Sequence, residues 1–105
     1  MILGKVVGTV VSTQKDEGLE GYKLLIVQHV DMEVKLMASY IIAADAIGAG
    51  VDEIVFVVTG SSARLAAKTK NKPVDAAVVG IVDSLEVGGK IVFRKCPERS
   101  EQAKV

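Results

Sequence analysis

A chain of 105 residues, half of them hydrophobic, has material for one domain with a real core and no room for a second. Its 13 basic and 13 acidic residues cancel, which argues against a nucleic-acid binder, because such proteins use a basic surplus to neutralise phosphate. The lone cysteine, Cys96, cannot form an internal disulfide, and no apolar run approaches the ~20 residues of a membrane helix.

The start, Met1-Ile2-Leu3-Gly4-Lys5, passes straight into an alternating strand-like run without the charged-then-apolar layout of a signal peptide. The expected setting is therefore the cytoplasm, away from any membrane. With 18 Val and 8 Ile against four aromatics, Tyr22, Tyr40, Phe56 and Phe93, the chain reads as aliphatic and mainly β. The first strand is expected over residues 2–13, apolar on both faces, with Gly4 and Gly8 on one of them. One face can line a barrel interior; the other needs another cover.

Residues 14–21 read as a polar loop, and a second strand is expected over 22–30. A turn at Asp31 leads to a third strand over 36–44, and 45–52 form a tight connection around Gly48 and Gly50. The continuous apolar run 54–59 marks a strand covered on both faces. Gly60-Ser61-Ser62-Ala63-Arg64 reads as the start of a short helix capped by its serines. Lys68, Lys70 and Lys72 sit in a following loop. Pro73 to Ala77 reads as one helical turn with proline in its first turn, residues 78–82 as a strand, Gly88-Gly89 as a turn, and 91–94 as a final strand. Five or six strands with one or two short helices predict a small closed barrel of the oligonucleotide/oligosaccharide-binding type over residues 1–95, followed by a polar tail over 96–105.

Sites for chemistry are poorly supplied. Gly48-Ala49-Gly50 lacks the third glycine of the dinucleotide fingerprint, since position 53 is Glu53, and lacks the Gly-Lys-Ser/Thr of a phosphate loop. Two residues after Ser61 and Ser62 stand Ala63 and Arg64, where a nucleophile elbow needs glycine. The only histidine, His29, falls on a predicted strand, where it reads as a surface or hydrogen-bonded residue. One His and one Cys with scattered carboxylates show no metal-ligand spacing. Asp45, Asp52, Glu53, Asp75 and Asp83 flank predicted turns, where aspartate bonds to nearby backbone N–H groups. The Lys68/Lys70/Lys72 cluster reads as a solvated loop, because the chain places no stacking aromatic between Phe56 and Phe93. No catalytic residue, cofactor site or metal site is predicted. The residues favour a building block over a catalyst.

Five segments in order carry a more specific signal. Leu3-Gly4-Lys5-Val6-Val7-Gly8-Thr9-Val10-Val11-Ser12-Thr13, Leu19-Glu20-Gly21-Tyr22-Lys23-Leu24-Leu25-Ile26-Val27, Asp45-Ala46-Ile47-Gly48-Ala49-Gly50, Gly60-Ser61-Ser62-Ala63-Arg64 and the stretch from Pro73 to Asp83 together resemble the vertex proteins of bacterial microcompartments, the EutN/CcmL type. Each segment alone is a weak motif, but together they span most of residues 1–95. Gly88-Gly89-Lys90-Ile91-Val92-Phe93 resembles the ending of the ethanolamine-utilisation branch. The resemblance implies a pentamer that caps the fivefold corners of a shell tiled by hexameric proteins, and no catalytic residues. It places Gly48, Gly50, Ser61, Ser62 and Arg64 at a subunit contact or near the ring axis. Where the family shows a further glycine after Gly50, this chain has Val51-Asp52-Glu53; aspartate tolerates left-handed backbone better than most residues. Residues 31–39 and 96–105 lie outside the resemblance. A barrel of this type is also used by binding modules for nucleic acid or a small ligand, and that is the alternative reading.

Overall fold

The computed structural model describes residues 1–13, 15–19, 21–66, 69 and 73–95. Seven strands follow in order: β1 Ile2–Val10, β2 Leu24–Val30, β3 Leu36–Asp45, β4 Ile54–Thr59, β5 Ala76–Ile81, β6 Ser84–Val87 and β7 Lys90–Arg94. Short 3₁₀ turns occupy Glu17–Leu19 and Gly60–Arg64. The first five strands close into a barrel in the order β1-β2-β3-β5-β4, with β4 returning to β1. Only β3 and β5 run parallel, and they pair only at Ala44↔Ala77 and Asp45↔Val78. This is the mainly β barrel expected from the composition.

Alternation decides what fills it. Val6, Leu25, Val27, Ala43, Val55, Val57 and Val78 point inward and are essentially inaccessible to water. Their small, branched side chains suit the narrow interior of a five-stranded barrel, and each buried Val or Leu contributes about 1.5–3 kcal/mol. Ala49, from the loop after β3, joins this cluster.

The outer wall is covered in two sectors. The β6–β7 hairpin lays Leu85 and Phe93 over Leu3, Ile54 and Phe56 on the outside of β1 and β4. The Gly60–Arg64 turn sets the buried Ala63 on Ala44 and Ala77, with Leu19, Tyr22 and Val58 around it. Between these sectors, the middle of the outer face of β3 has no cover among the described residues, although Ala44 near its end and Leu24 and Val30 at the ends of β2 belong to the covered clusters. Tyr40 and Ile42 remain 60% and 55% exposed there.

Several expectations need correction. Gly4 and Gly8 do not share a face. The β1–β2 register slips between Val6 and Gly8, so Gly4 lies on the inward row with Val6 while Gly8 stands opposite outward-facing Ile26. A bulge reverses the alternation that sequence spacing assumes. The 60–64 segment is a 3₁₀ turn whose N-cap is Thr59, with no side-chain cap bond, so the serines do not cap it. Residues 73–77 do not form a helical turn: Pro73 and Asp75 lie in bends and Ala76 opens β5. Strand β6 falls where no strand was expected. The lysines at 68, 70 and 72, Cys96 and the 96–105 tail lie outside the described residues.

Candidate functional site

The loop from Asp45 to Glu53 leaves the end of β3 and enters β4. Asp45 places one carboxylate oxygen, Oδ1, under three successive backbone N–H donors: Ile47 at 3.1 Å, Gly48 at 2.9 Å and Ala49 at 3.1 Å. An aspartate folded under its own loop in this way replaces the neighbours that a turn's N–H groups lack. Glu53 closes the far side, where its Oε1 accepts the Gly50 N–H at 2.6 Å. The four N–H groups of residues 47–50 thus point at the chain's own carboxylates. An anion such as a phosphate would find them occupied and faced by negative charge, which removes the phosphate-loop reading on physical grounds.

Backbone bonds fasten the loop to β1. The Asp52 N–H donates to the Val6 carbonyl at 2.7 Å and the Val6 N–H to the Glu53 carbonyl at 2.9 Å. Gly48 takes φ +84 with open space around the missing Cβ, so conformation requires glycine there and crowding does not. Asp52, in the Val51-Asp52-Glu53 run, takes φ 74, which is left-handed backbone. Lys5 lies 3.7 Å from the Asp52 carboxylate on the open surface, a contact worth little on its own. Glu53 also reaches Lys95 at the end of β7, with Oε2 and Nζ 2.7 Å apart. These two bonds, the Lys95 ammonium first and the Gly50 N–H second, hold the Glu53 carboxyl below its ordinary range. Ile47 and Val51 stay 40% and 53% exposed on the loop's outer side.

The second candidate segment lies elsewhere. Ser61, Ser62 and Arg64 are exposed on the turn that follows β4, while Ala63 between them is buried. The turn is fixed by the Gly60 N–H donating to the Asp75 carbonyl at 2.7 Å and by the buried Thr69 hydroxyl donating to the Ala63 carbonyl at 2.5 Å. Gly48 and Gly50 precede β4 and the Ser61–Arg64 stretch follows it, so the length of a six-residue strand, about 17 Å, separates them. Within one chain, the five residues singled out in the sequence therefore form two segments at opposite ends of β4, all exposed except the half-buried Gly50.

Sequence reasoning missed Glu53 and Lys95 as a pair, since 42 positions separate them. It also misjudged His29. That residue is half-buried on β2 opposite Gly4, and its Nε2 is buried without a hydrogen-bond partner. Among the described residues no group of three or more His, Cys, Asp or Glu could hold a metal ion, and no helix is long and apolar enough to cross a membrane.

The family model described as "Ethanolamine utilisation protein EutN/carboxysome" matches residues 1–83. The chain is 49% identical over 96 residues to the carboxysome shell vertex protein CcmL of Nostoc, covering 90% of this chain and 95% of that protein. The solved structure of the Nostoc protein superposes with a TM-score of 0.86, covering 90% of this chain and 100% of that one. Identity to the microcompartment shell vertex protein EutN of Salmonella typhimurium is 44% over 95 residues, with 90% and 96% covered. These two values do not rank the ethanolamine branch above the carboxysome one. The solved structure of GrpN from Rhodospirillum rubrum, a pentameric microcompartment shell protein, matches with TM-score 0.77 at 49% identity, covering 83% of this chain and 99% of that one.

Proposed function

The chain belongs to the EutN/CcmL family, and from that premise we propose that five copies form a ring closing the fivefold vertices of a bacterial microcompartment shell in the cytoplasm. The role is structural, without a catalytic step. The observation that carries the reading is the uncovered sector of the barrel wall. Two sectors are sealed by the chain's own hairpin and 3₁₀ turn, while Tyr40 and Ile42 stay exposed on the third. A small domain that leaves an apolar row open gains by burying it against another copy.

A closed surface tiled by hexagons needs fivefold units to curve, and a head-to-tail contact that closes after five rotations supplies one. The two segments at opposite ends of β4 suit different duties in such a ring. Gly48 and Gly50 allow close backbone approach at a subunit boundary or near the axis. Ser61, Ser62 and Arg64 offer donors at a boundary, the guanidinium as a rigid fork. The outer rim meets the edges of hexameric shell proteins through a second and weaker contact. The balanced charge suits a protein partner and not nucleic acid.

The test is the solution mass of the purified chain by light scattering coupled to size exclusion. Five times 11.1 kDa, about 55 kDa, is the expected mass. A single-chain mass at every concentration overturns the ring.

A further inference from the structure

The β6–β7 hairpin makes its backbone bonds within itself. Val87 pairs with Lys90, and the two residues between them, Gly88 and Gly89, take φ 59 and 78. Two left-handed residues in a two-residue loop give the turn whose twist fits a hairpin. At the other end, the Lys95 N–H donates to the Asp83 carbonyl at 2.7 Å and closes the base. The two strands pair only with each other. The last backbone bond to the barrel comes just before the hairpin, from the Val82 N–H to the Ile54 carbonyl at 2.8 Å. Among the described residues, no backbone bond joins 84–94 to the barrel.

Side chains therefore hold the hairpin down, and they hold it lightly. Leu85 and Phe93 join the cluster of Leu3, Ile54 and Phe56, yet no residue of β6 or β7 is fully buried. Packing along the seam is incomplete: Leu85 and Phe56 share with Met1, Ile2, Leu3 and Met32 a cleft of about 250 Å³. The base, by contrast, is pinned on both sides. Val82 is bonded to Ile54 where the chain enters, and the Lys95 ammonium to Glu53 where it leaves. A segment with few buried contacts and no backbone tie to its support opens at a lower free energy than the core. A lone two-stranded hairpin is marginal in water, so lifting this one also releases its cross-strand bonds. We propose that the β6–β7 hairpin is a flap that opens as one unit about its pinned base while the five-stranded barrel stays closed. Opening uncovers Leu3, Ile54 and Phe56 beside the cleft and enlarges it into an apolar site that the closed form lacks.

The experiment is amide hydrogen exchange on the full chain in low, rising urea. The amides of β6 and β7 are expected to exchange together, about tenfold or more faster than those of β2 after correction for intrinsic rates, because they need only the local opening. Their rates should hardly change with urea, since the opening exposes little surface, whereas β2 waits for global unfolding and quickens steeply. A barrel variant separates the two units further. Gly4→Ala drives a Cβ into Val27 inside the barrel, away from the hairpin cluster. It is expected to quicken β2 by about fivefold or more and to leave β6 and β7 at their wild-type rates. Three results overturn the flap: hairpin protection and urea slope equal to those of β2, rates that differ from residue to residue along the hairpin, or a Gly4→Ala chain in which hairpin and β2 quicken alike. If Gly4→Ala fails to fold, the urea dependence of the wild type decides alone.

Discussion

Lys95, the last residue described after β7, places its ammonium 2.7 Å from the carboxylate of Glu53, the last residue before β4. The same carboxylate accepts the Gly50 N–H. One side chain thus ties the hairpin sector of the wall to the loop that carries Gly48 and Gly50.

Replacing Glu53 by glutamine keeps the shape and removes the charge. Both groups are partly screened by solvent, with 35% of the Lys95 side chain and 21% of the Glu53 side chain exposed. The expected loss is therefore about 1 kcal/mol. For a domain of this size that lowers the melting temperature by about 4–8 °C. Calorimetry checks it, and an unchanged midpoint would mean that the pair contributes nothing to the fold.

The same pair predicts an acid dependence. The bond to Lys95, then that to the Gly50 N–H, lowers the Glu53 carboxyl below its ordinary value. The folded chain thus prefers the ionised form more than the unfolded chain does. This stabilisation is complete above the ordinary glutamate value of about 4.3 and is lost as pH falls through the lowered folded value. Asp31, held low first by the Lys35 N–H and then by the Glu33 N–H, acts in the same direction. Urea midpoints between pH 7 and pH 3 are expected to fall less steeply below pH ~4 in Glu53→Gln than in the wild type. Parallel curves would assign the acid sensitivity to other groups.

Gly4 and Gly8 are predicted to answer alanine differently. A Cβ on Gly4 would collide with Val27 Cγ1 inside the barrel and approach the Gln28 carbonyl oxygen to 2.9 Å. Overpacking of that kind costs about 1–3 kcal/mol. A Cβ on Gly8 would meet only the Ile26 side chain, at an ordinary 3.5 Å. Gly8→Ala is expected to leave chemical denaturation unchanged while Gly4→Ala shifts it clearly. Equal effects would contradict the bulge that separates the two positions.

Thr69 is fully buried, and its hydroxyl donates to the Ala63 carbonyl. Valine in its place fills nearly the same volume but leaves that carbonyl without its donor, at a cost of about 1–2 kcal/mol. The damage is expected to centre on the Gly60–Arg64 turn, because Ala63 anchors it on Ala44 and Ala77. Hydrogen exchange that quickens at Leu65, whose N–H donates to the Ser62 carbonyl, before it quickens in β2 would show this. Uniform loss of protection would tie Thr69 to the whole barrel instead.

Elements set by composition and alternation were legible in the chain. The Val/Ile runs that became β1, β2 and β4 needed only side-chain shape and period, and the turns at Asp31 and Asp45 needed only aspartate's habit of bonding the N–H groups ahead of it. The tolerance of aspartate for left-handed backbone also held, at Asp52. Long-range pairing was not legible. The stretch at 84–87 has no strand character by itself and becomes β6 because β7 folds back on it and both cover Leu3 and Ile54. Pro73 suggested a helical turn, but the pairing of Ala76 with Thr59 claims the residues after it for the sheet. Val34 takes φ 63, which no local rule assigns to a β-branched residue; Asp31 accepting the N–H groups of Glu33 and Lys35 holds the turn in which it sits. In the candidate site, the two segments and the strand between them were readable in chain order, whereas the Asp45 and Glu53 bonds that shape the first and the Gly60–Asp75 bond that fixes the second emerged only from the fold.

Arg64 allows the two segments to be tested apart. It is exposed on the turn after β4, whereas its neighbour Ala63 belongs to a buried cluster. Changing it to glutamate should leave thermal stability within about 0.5 kcal/mol of the wild type, as for most surface substitutions. If Arg64 donates across a subunit boundary, the reversed charge faces acceptors placed for a cation, and repulsion between like charges at an interface costs several kcal/mol. The expected outcome is a chain that melts normally but assembles only at high concentration, with added salt restoring part of the assembly by screening. Sedimentation velocity at two salt concentrations checks it. A ring that persists at every dilution would place Arg64 on the open surface of the pentamer, leaving the boundary to the loop of Gly48 and Gly50 and to the wall around Tyr40.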